Sequence, residues 1–302
     1  MKQIWLGLIL GAGAVVALCA QPAEPPAVLH IDQELIKEGK TGAHRKAEQA
    51  YVSAFRKAEY PIHYIALASE AGPNEVLFLE SYPSFAAMDD AHKLSEKTPL
   101  RNDLDAADAQ DGELRANSHS MTAVYRPDLS YLPEEPLSFG KTRYVLLATY
   151  HLRLGRTEDF QAGARVILEG YRRALLPNTV VAYEVVAGAP EGTYLFFEQM
   201  DSLKQMDKSA DDQQALMNAV GTENFRRLMK GSGDVFESIE TSLYSVSPEM
   251  SYVSKATEDE DADFWHPAPP PAPATKTAKP RRRILSKAGD KPAEKPAEKP
   301  AQ

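Results

Sequence analysis

The sequence predicts an α+β fold in which one βαββαβ unit occurs twice in tandem. Three observations predict it. Residues 28–131 match residues 144–252 at four anchors in the same order, a self-similarity that has to be read before any single element. Strand and helix periodicities then alternate in the same order in both copies. Beyond residue 252 the composition turns to acid runs and then to Pro, Lys and Ala, which marks the end of the folded body. A chain of 302 residues with 43% hydrophobic content suits about two such units with packed cores.

The anchors are specific residues. Gly39 pairs with Gly155, and the strand ending at Glu80 (VLFLES) pairs with the one ending at Glu198 (YLFFEQ). Ser84, Met88 and Asp89 recur as Ser202, Met206 and Asp207. Each copy closes on one phrase, Pro127-Asp128-Leu129-Ser130-Tyr131 and Pro248-Glu249-Met250-Ser251-Tyr252.

Taken in order, residues 28–36 and 143–154 read as strands by alternation and β-branched content. Gly39 and Gly155 mark turns, with Thr41 and Thr157 as candidate helix caps. First helices are expected over 44–58 and 158–175. In the second, Phe160, Ala164, Ile167, Leu168 and Tyr171 keep the stripe of a half-buried helix. Pro61 and Pro177 end them, and hairpins turn at Gly72-Pro73-Asn74 and Gly188-Ala189-Pro190. Second helices are expected over 84–109, broken at Pro99, and over 202–229. Closing strands are expected over 118–125 and 235–245. This order is that of two tandem ferredoxin-like repeats, each an antiparallel sheet with both helices on one face. The hairpin strands are apolar on successive residues, so a second sheet must cover the other face.

The stretch FLESYPSFAAMDDAH, which includes Glu80, Tyr82 and His92, resembles the strand–helix signature of the antibiotic-biosynthesis-monooxygenase-like families of the dimeric α/β-barrel superfamily. The resemblance implies that the two repeats form an intrachain pseudo-dimeric α/β barrel. It also implies cofactor-free oxygenation or isomerisation of a hydrophobic, often aromatic substrate in a sheet–helix cavity. Haem is known among relatives of this barrel, and the resemblance leaves it open here without assigning any cofactor. The second copy departs from the signature. Met200 replaces Tyr82, and Ser209 or a neighbour stands where the first copy has His92, so the halves are expected to be inequivalent.

The candidate catalytic residues are His30, Asp32 and Glu34. They alternate on the first strand with Leu29, Ile31 and Leu35, about 6.7 Å apart along one face. If the apolar set faces the helices, the polar set faces the space between the sheets. A histidine between two acids can act as a general base with an orienting carboxylate, or offer ligands to a divalent ion. The same residues could equally be the polar side of a solvent-exposed strand, and no metal is assigned. The aligned second-copy residues are Leu146, Ala148 and Tyr150. Glu80, Tyr82, His92, Tyr150 and Glu198 are candidates to line a ligand cavity; the tyrosines could equally be core, the acids could point out at the rim and pair with a Lys or Arg, and His92 could be solvated.

The ends carry their own readings. Residues 1–20 (MKQIWLGLILGAGAVVALCA) have the pattern of a secretory signal, followed by an unstructured start over 21–27. An uncleaved anchor fits less well, and Leu18 disfavours a lipoprotein acylated at Cys19. Cleavage after Ala20 would remove the one cysteine, and with it disulfides, thiolates and Cys-ligated zinc. Repeats span 28–131 and 143–252, with a linker over 132–142 and a disordered tail over 253–302. Residues 276–302 hold six Lys and three Arg against three acids, in a chain whose net charge is −9. The acidic body repels nucleic-acid phosphates, while the tail could contact an anionic envelope surface or merely solubilise. No Gly-rich phosphate loop, HExxH, GxSxG or EF-hand loop is present. The expectation is therefore an exported, non-catalytic module binding a small hydrophobic molecule or an envelope partner. A cofactor-independent monooxygenase- or isomerase-like enzyme is the alternative. Nothing in the sequence indicates an oligomeric state.

Overall fold

A computed structural model describes residues 24–267. The signal reading for 1–20 and the tail beyond 267 fall outside the described residues. The first half runs β1 (Val28–Ile36), α1 (Thr41–Lys57), β2 (Tyr64–Ala71), β3 (Glu75–Tyr82), α2 (Phe85–Ser95), α3 (Leu100–Asp111) and β4 (Arg115–Tyr125). The second runs β5 (Tyr144–Leu152), α4 (Thr157–Ala174), β6 (Thr179–Ala187), β7 (Thr193–Met200), α5 (Ser209–Val220), α6 (Thr222–Val235) and β8 (Phe236–Tyr252). Short helices α7 (Lys255–Glu260) and α8 (Ala262–Trp265) follow.

Pro99 does break the expected long helix, since α2 ends at Ser95 and α3 begins at Leu100. Thr41 and Thr157 are not caps. Each is the first helical residue, behind Lys40 and Arg156, which make no side-chain cap. Gly39 and Gly155, both at positive φ, turn the chain tightly enough to start each helix early.

The eight strands form one closed antiparallel barrel in the order β1-β3-β2-β8-β5-β7-β6-β4. Within it each half keeps its strands contiguous, as β4-β1-β3-β2 and β8-β5-β7-β6. Two seams join them. β8 is long enough, at 17 residues, to pair with β5 along its first part and with β2 along its last. The end of β4 pairs with β6 through Thr122–Tyr125.

The repeated closing phrases are the fasteners of these seams. Ser251 Oγ accepts the Ala66 backbone N–H at 2.9 Å, and Ser130 Oγ accepts the Ala182 N–H at the same distance. In the next position Tyr252 donates to the Tyr60 carbonyl at 2.7 Å, and Tyr131 to the Leu176 carbonyl at 2.8 Å. Each half thus ends by satisfying buried backbone groups of the other.

All eight strands contribute to one interior cluster, including Leu29, Ile31, Leu67, Leu79, Ala123, Leu147, Tyr183, Phe197 and Tyr244. Eight strands enclose an interior about wide enough for side chains to fill it. Leu29 and Ile31 therefore point inward, against the other half. His30, Asp32 and Glu34, alternating with them, point outward under the helices of the first half, His30 toward α2 and Glu34 toward α1, which reverses the facing expected above. The reason is closure: the space between the sheets is the dry centre of a barrel, and helices can shelter polar groups at its outside.

The start of the expected disordered tail is folded. Trp265 is buried against the interior cluster, and its Nε1 donates to the Gly140 carbonyl at 3.1 Å. The Arg143 guanidinium lies 3.7 Å from the centre of the Phe264 ring and pairs with Asp261. Two adjacent aromatics outweigh the acid run that suggested disorder. The end of the expected unstructured start is also held, because Tyr183 donates to the Pro26 carbonyl at 3.0 Å.

Ser130→Ala and Ser251→Ala should each cost about 1–3 kcal/mol in urea unfolding, since each leaves a buried amide without an acceptor. The two seams lie apart, so the double variant should lose about the sum. Losses below about 0.5 kcal/mol would show that the seams do not depend on these hydroxyls.

Candidate functional site

The two halves present the same strand register outward. His30 pairs with Glu80, Asp32 with Phe78 and Glu34 with Val76 in the first half. Leu146 pairs with Glu198, Ala148 with Phe196 and Tyr150 with Tyr194 in the second. At the barrel rim, Arg115 stands opposite Ile36 as Phe236 stands opposite Leu152. The helices above correspond too. His44 and Phe160 occupy the fourth positions of α1 and α4, with Glu48 and Ala164 one turn on. One place in the fold is thus filled twice, by ionisable groups in the first half and by aromatic ones in the second.

In the second half a cavity of about 490 Å³ lies between the sheet and helices α4 and α6. Tyr150, Phe160, Phe196, Phe236, Leu146 and Ile167 give it an apolar wall. Glu198 also lines it. Burial pushes its carboxyl above the ordinary range, opposed by the Asn178 amide, which donates to Oε1 at 2.5 Å. A neutral carboxylic acid in an apolar cavity can donate a hydrogen bond, or hold and release a proton.

In the first half the corresponding space is about 340 Å³ and polar. Asp32, Glu34, Glu48, Glu80 and Arg115 line it, with Tyr51 and Tyr64. Beneath it sits a buried group that the sequence reading missed: Glu34, His44, Glu48 and Asp111. His44 Nδ1 lies 2.7 Å from Asp111 Oδ1, and His44 Nε2 lies 3.7 Å from Glu34 Oε2. Arg115 donates to Glu34 Oε1 at 2.7 Å. Its Nε is 3.1 Å from Asp111 Oδ2, off the line of a hydrogen bond. Glu34 Oε2 and His44 Nε2 have no hydrogen-bond partner. Burial, then the negative Glu34 and Asp111, push Glu48 up to about 9. Burial also raises Glu34 in spite of Arg115.

The other candidates separate into small sets. His30 Nε2 is 3.5 Å from Asp32 Oδ1, and this contact raises the histidine. Burial pushes Asp32 up, but His30 and the Ser120 hydroxyl outweigh it and hold it below the ordinary value. Tyr82 donates to Glu80 Oε2 at 2.6 Å, while burial raises Glu80. His92, on α2, meets the His30 ring edge-on with centroids 6.5 Å apart. The three β1 residues do not form one unit: Asp32 works with His30, whereas Glu34 belongs with His44 and Arg115. Tyr150 and Glu198 do share one cavity. The missed residues carried a signal, since His44 and Glu48 stand at i and i+4 on the stripe that continues through Val52 and Phe55 to the core.

Neither histidine nor cysteine lines the larger cavity. Its donor set, with Tyr150 and Tyr171 as the phenols, does not match a histidine-ligated haem.

No protein-family profile matches the chain, and no curated protein does. Solved structures do match. A protein described as anthrone oxidase-like aligns with TM-score 0.52 at 10% identity, over 78% of this chain and 97% of that one. A Fusobacterium nucleatum protein, provisionally assigned as a monooxygenase, aligns with TM-score 0.50 at 11% identity, over 74% and 94%. A chlorite dismutase mutant from Candidatus Nitrospira defluvii aligns less well, with TM-score 0.47 at 12% identity over 75% and 94%. The likeness is one of fold, and identities this low speak to fold alone.

Arg115 is the cation nearest three buried carboxyls, so Arg115→Met should destabilise by about 3–5 kcal/mol in urea unfolding at pH 7. A loss under about 1 kcal/mol would show that protonation alone neutralises the group.

Proposed function

We propose that this protein binds a small, neutral, hydrophobic or aromatic molecule in the second-half cavity. The observation that carries this reading is an aromatic wall of Tyr150, Phe160, Phe196 and Phe236 around one raised carboxyl, Glu198. Apolar walls supply affinity by burial, and a few polar groups, Glu198 with Asp159 and Arg227 among the lining residues, fix orientation. A ligand with one carbonyl or ether oxygen would match the protonated form of Glu198, which donates.

A second reading is favoured by Glu198 itself. A titratable carboxyl against a bound carbonyl compound could remove a proton from the adjacent carbon and return it elsewhere. That is the isomerase-like, cofactor-independent chemistry of the alternative. The likeness to barrels described as an oxidase-like protein and a monooxygenase is compatible with it but adds only the fold.

We read the chain as two tandem ferredoxin-like repeats that form within one polypeptide the barrel built elsewhere from two chains. The shared strand order and the paired closing phrases support this. The leader-like residues 1–20 support export, and the basic residues 276–302 support contact with an anionic envelope surface.

The test uses 2-acetylnaphthalene, a neutral two-ring ketone, titrated calorimetrically. Wild type should bind one molecule, and Ala164→Trp, which fills the cavity, should weaken binding at least tenfold. A folded pKa above the ordinary glutamate value keeps Glu198 neutral at lower pH, so binding should weaken as pH rises through it. Glu198→Gln, which keeps a donor, should remove that dependence. Solvent deuterium entering the methyl group of the ketone, lost in Glu198→Gln, would select the enzymatic reading. Equal binding to wild type and Ala164→Trp would place the ligand elsewhere and reject the proposal.

A further inference from the structure

We propose that the first half contains a site for one divalent first-row transition ion, with His44 Nε2, Glu34 Oε2 and the Glu48 carboxylate as ligands. The inference does not depend on the ligand reading of the second-half cavity. One ligand atom from each of Glu34, His44, Glu48 and Asp111 falls within 4.8 Å of every other. All four side chains are buried, and His44 and Asp111 are fully so.

The orientation of these groups is what distinguishes the cluster from an ordinary ion-pair network. Asp111 as a carboxylate only accepts, so the 2.7 Å contact places the hydrogen on His44 Nδ1. In the neutral imidazole the lone pair is then on Nε2, which has no hydrogen-bond partner and faces the equally unpartnered Glu34 Oε2 at 3.7 Å. Arg115 holds the other oxygen of Glu34, fixing the carboxylate and leaving Oε2 free. Asp111 and Arg115 therefore orient the histidine and a carboxylate as the outer partners of metal ligands do. Because the ligands come from β1 and one face of α1, their spacing is set by packed, regular elements.

Charge points the same way. Arg115 is already shared among Glu34, Asp108 and Asp111, and a divalent ion would supply the positive charge that lets Glu48 ionise beside them. Nor does the fold need polar groups here. The same positions in the second half hold Tyr150, Phe160 and Ala164, with Phe236 at the place of Arg115. Apolar packing closes that half, so ionisable residues in the first are not a requirement of the architecture.

The donor set indicates the class of ion. Imidazole with carboxylates suits Mn²⁺, Fe²⁺ or Zn²⁺, whereas Ca²⁺ and Mg²⁺ favour all-oxygen sites. Glu34 and Glu48 also line the polar cavity, which gives the ion a way in.

The experiment titrates the chelator-treated full-length protein with Zn²⁺ and with Mn²⁺ by calorimetry, followed by thermal unfolding. Wild type should bind one ion of at least one of these metals per chain and melt at higher temperature with it, since a ligand of the native state stabilises it. Glu48→Gln, an isostere that removes a ligand charge, should fold by circular dichroism yet bind at least tenfold more weakly. His44→Phe, which copies the second half, should abolish the 1:1 event. Absence of 1:1 binding for both ions would overturn the proposal. Binding of unchanged affinity in Glu48→Gln, or in His44→Phe should Glu48→Gln fail to fold, would mark a surface site and overturn it equally.

Discussion

The structure depends on the two seams where each half ends on the other. Ser130 and Ser251 hold backbone amides of the opposite half, and Tyr131 and Tyr252 hold its carbonyls. Without them two four-stranded sheets would expose edges that pair with other chains. With them the sheets close, no edge of the described strands remains free, and the concave faces meet in one largely apolar interior. Closure then decides where chemistry can occur. Most inward positions are apolar, with Glu75 held among them by Tyr244 and Gln33, and the clusters of ionisable side chains lie outward, in the layer between barrel and helices.

That outer layer is where the halves diverge. The strand register is the same, and the helices begin at matching positions, but Glu34, His44 and Glu48 face Tyr150, Phe160 and Ala164 as counterparts. Small and aromatic side chains leave a cavity of about 490 Å³ under α4 and α6. Longer ionisable chains draw together over the corresponding space and leave a smaller, polar one. A carboxyl recurs at the same strand position in both, yet its setting differs. Glu80 shares a hydrogen with Tyr82 among charged neighbours, while Glu198 has an amide and an aromatic wall. Exchange of a few outward residues at matching positions is enough to make the two spaces differ in size and polarity.

Much of this was legible in the sequence because it rests on local patterns. β1 is found at its expected ends, Pro99 separates α2 from α3, and the repeated closing phrases announced a shared role. Facing was not legible. Leu29 and Ile31 are equally apolar whether they meet helices or an opposite sheet, and only closure of the barrel tells which. Glu34 was found but given the wrong partners, since His44 lies on a helix and Arg115 on a strand far along the chain. The docked residues 255–265 were hidden by composition: an acid run suggests disorder, and the packing of Trp265 beneath the linker is a long-range contact no window contains. Tyr150 and Glu198 line one cavity, but the sequence offered Glu198 only by its recurrence with Glu80 and Tyr150 only as one phenol among several.

The central claim is that the aromatic counterpart of the buried ionic cluster is the ligand-binding place of the molecule. The most direct measurement is a crystal structure grown with 2-acetylnaphthalene. The account predicts the two rings between Phe160, Phe196 and Phe236, with the ketone oxygen within hydrogen-bond distance of Glu198. The ligand found in the polar space of the first half, or within the barrel, would contradict it.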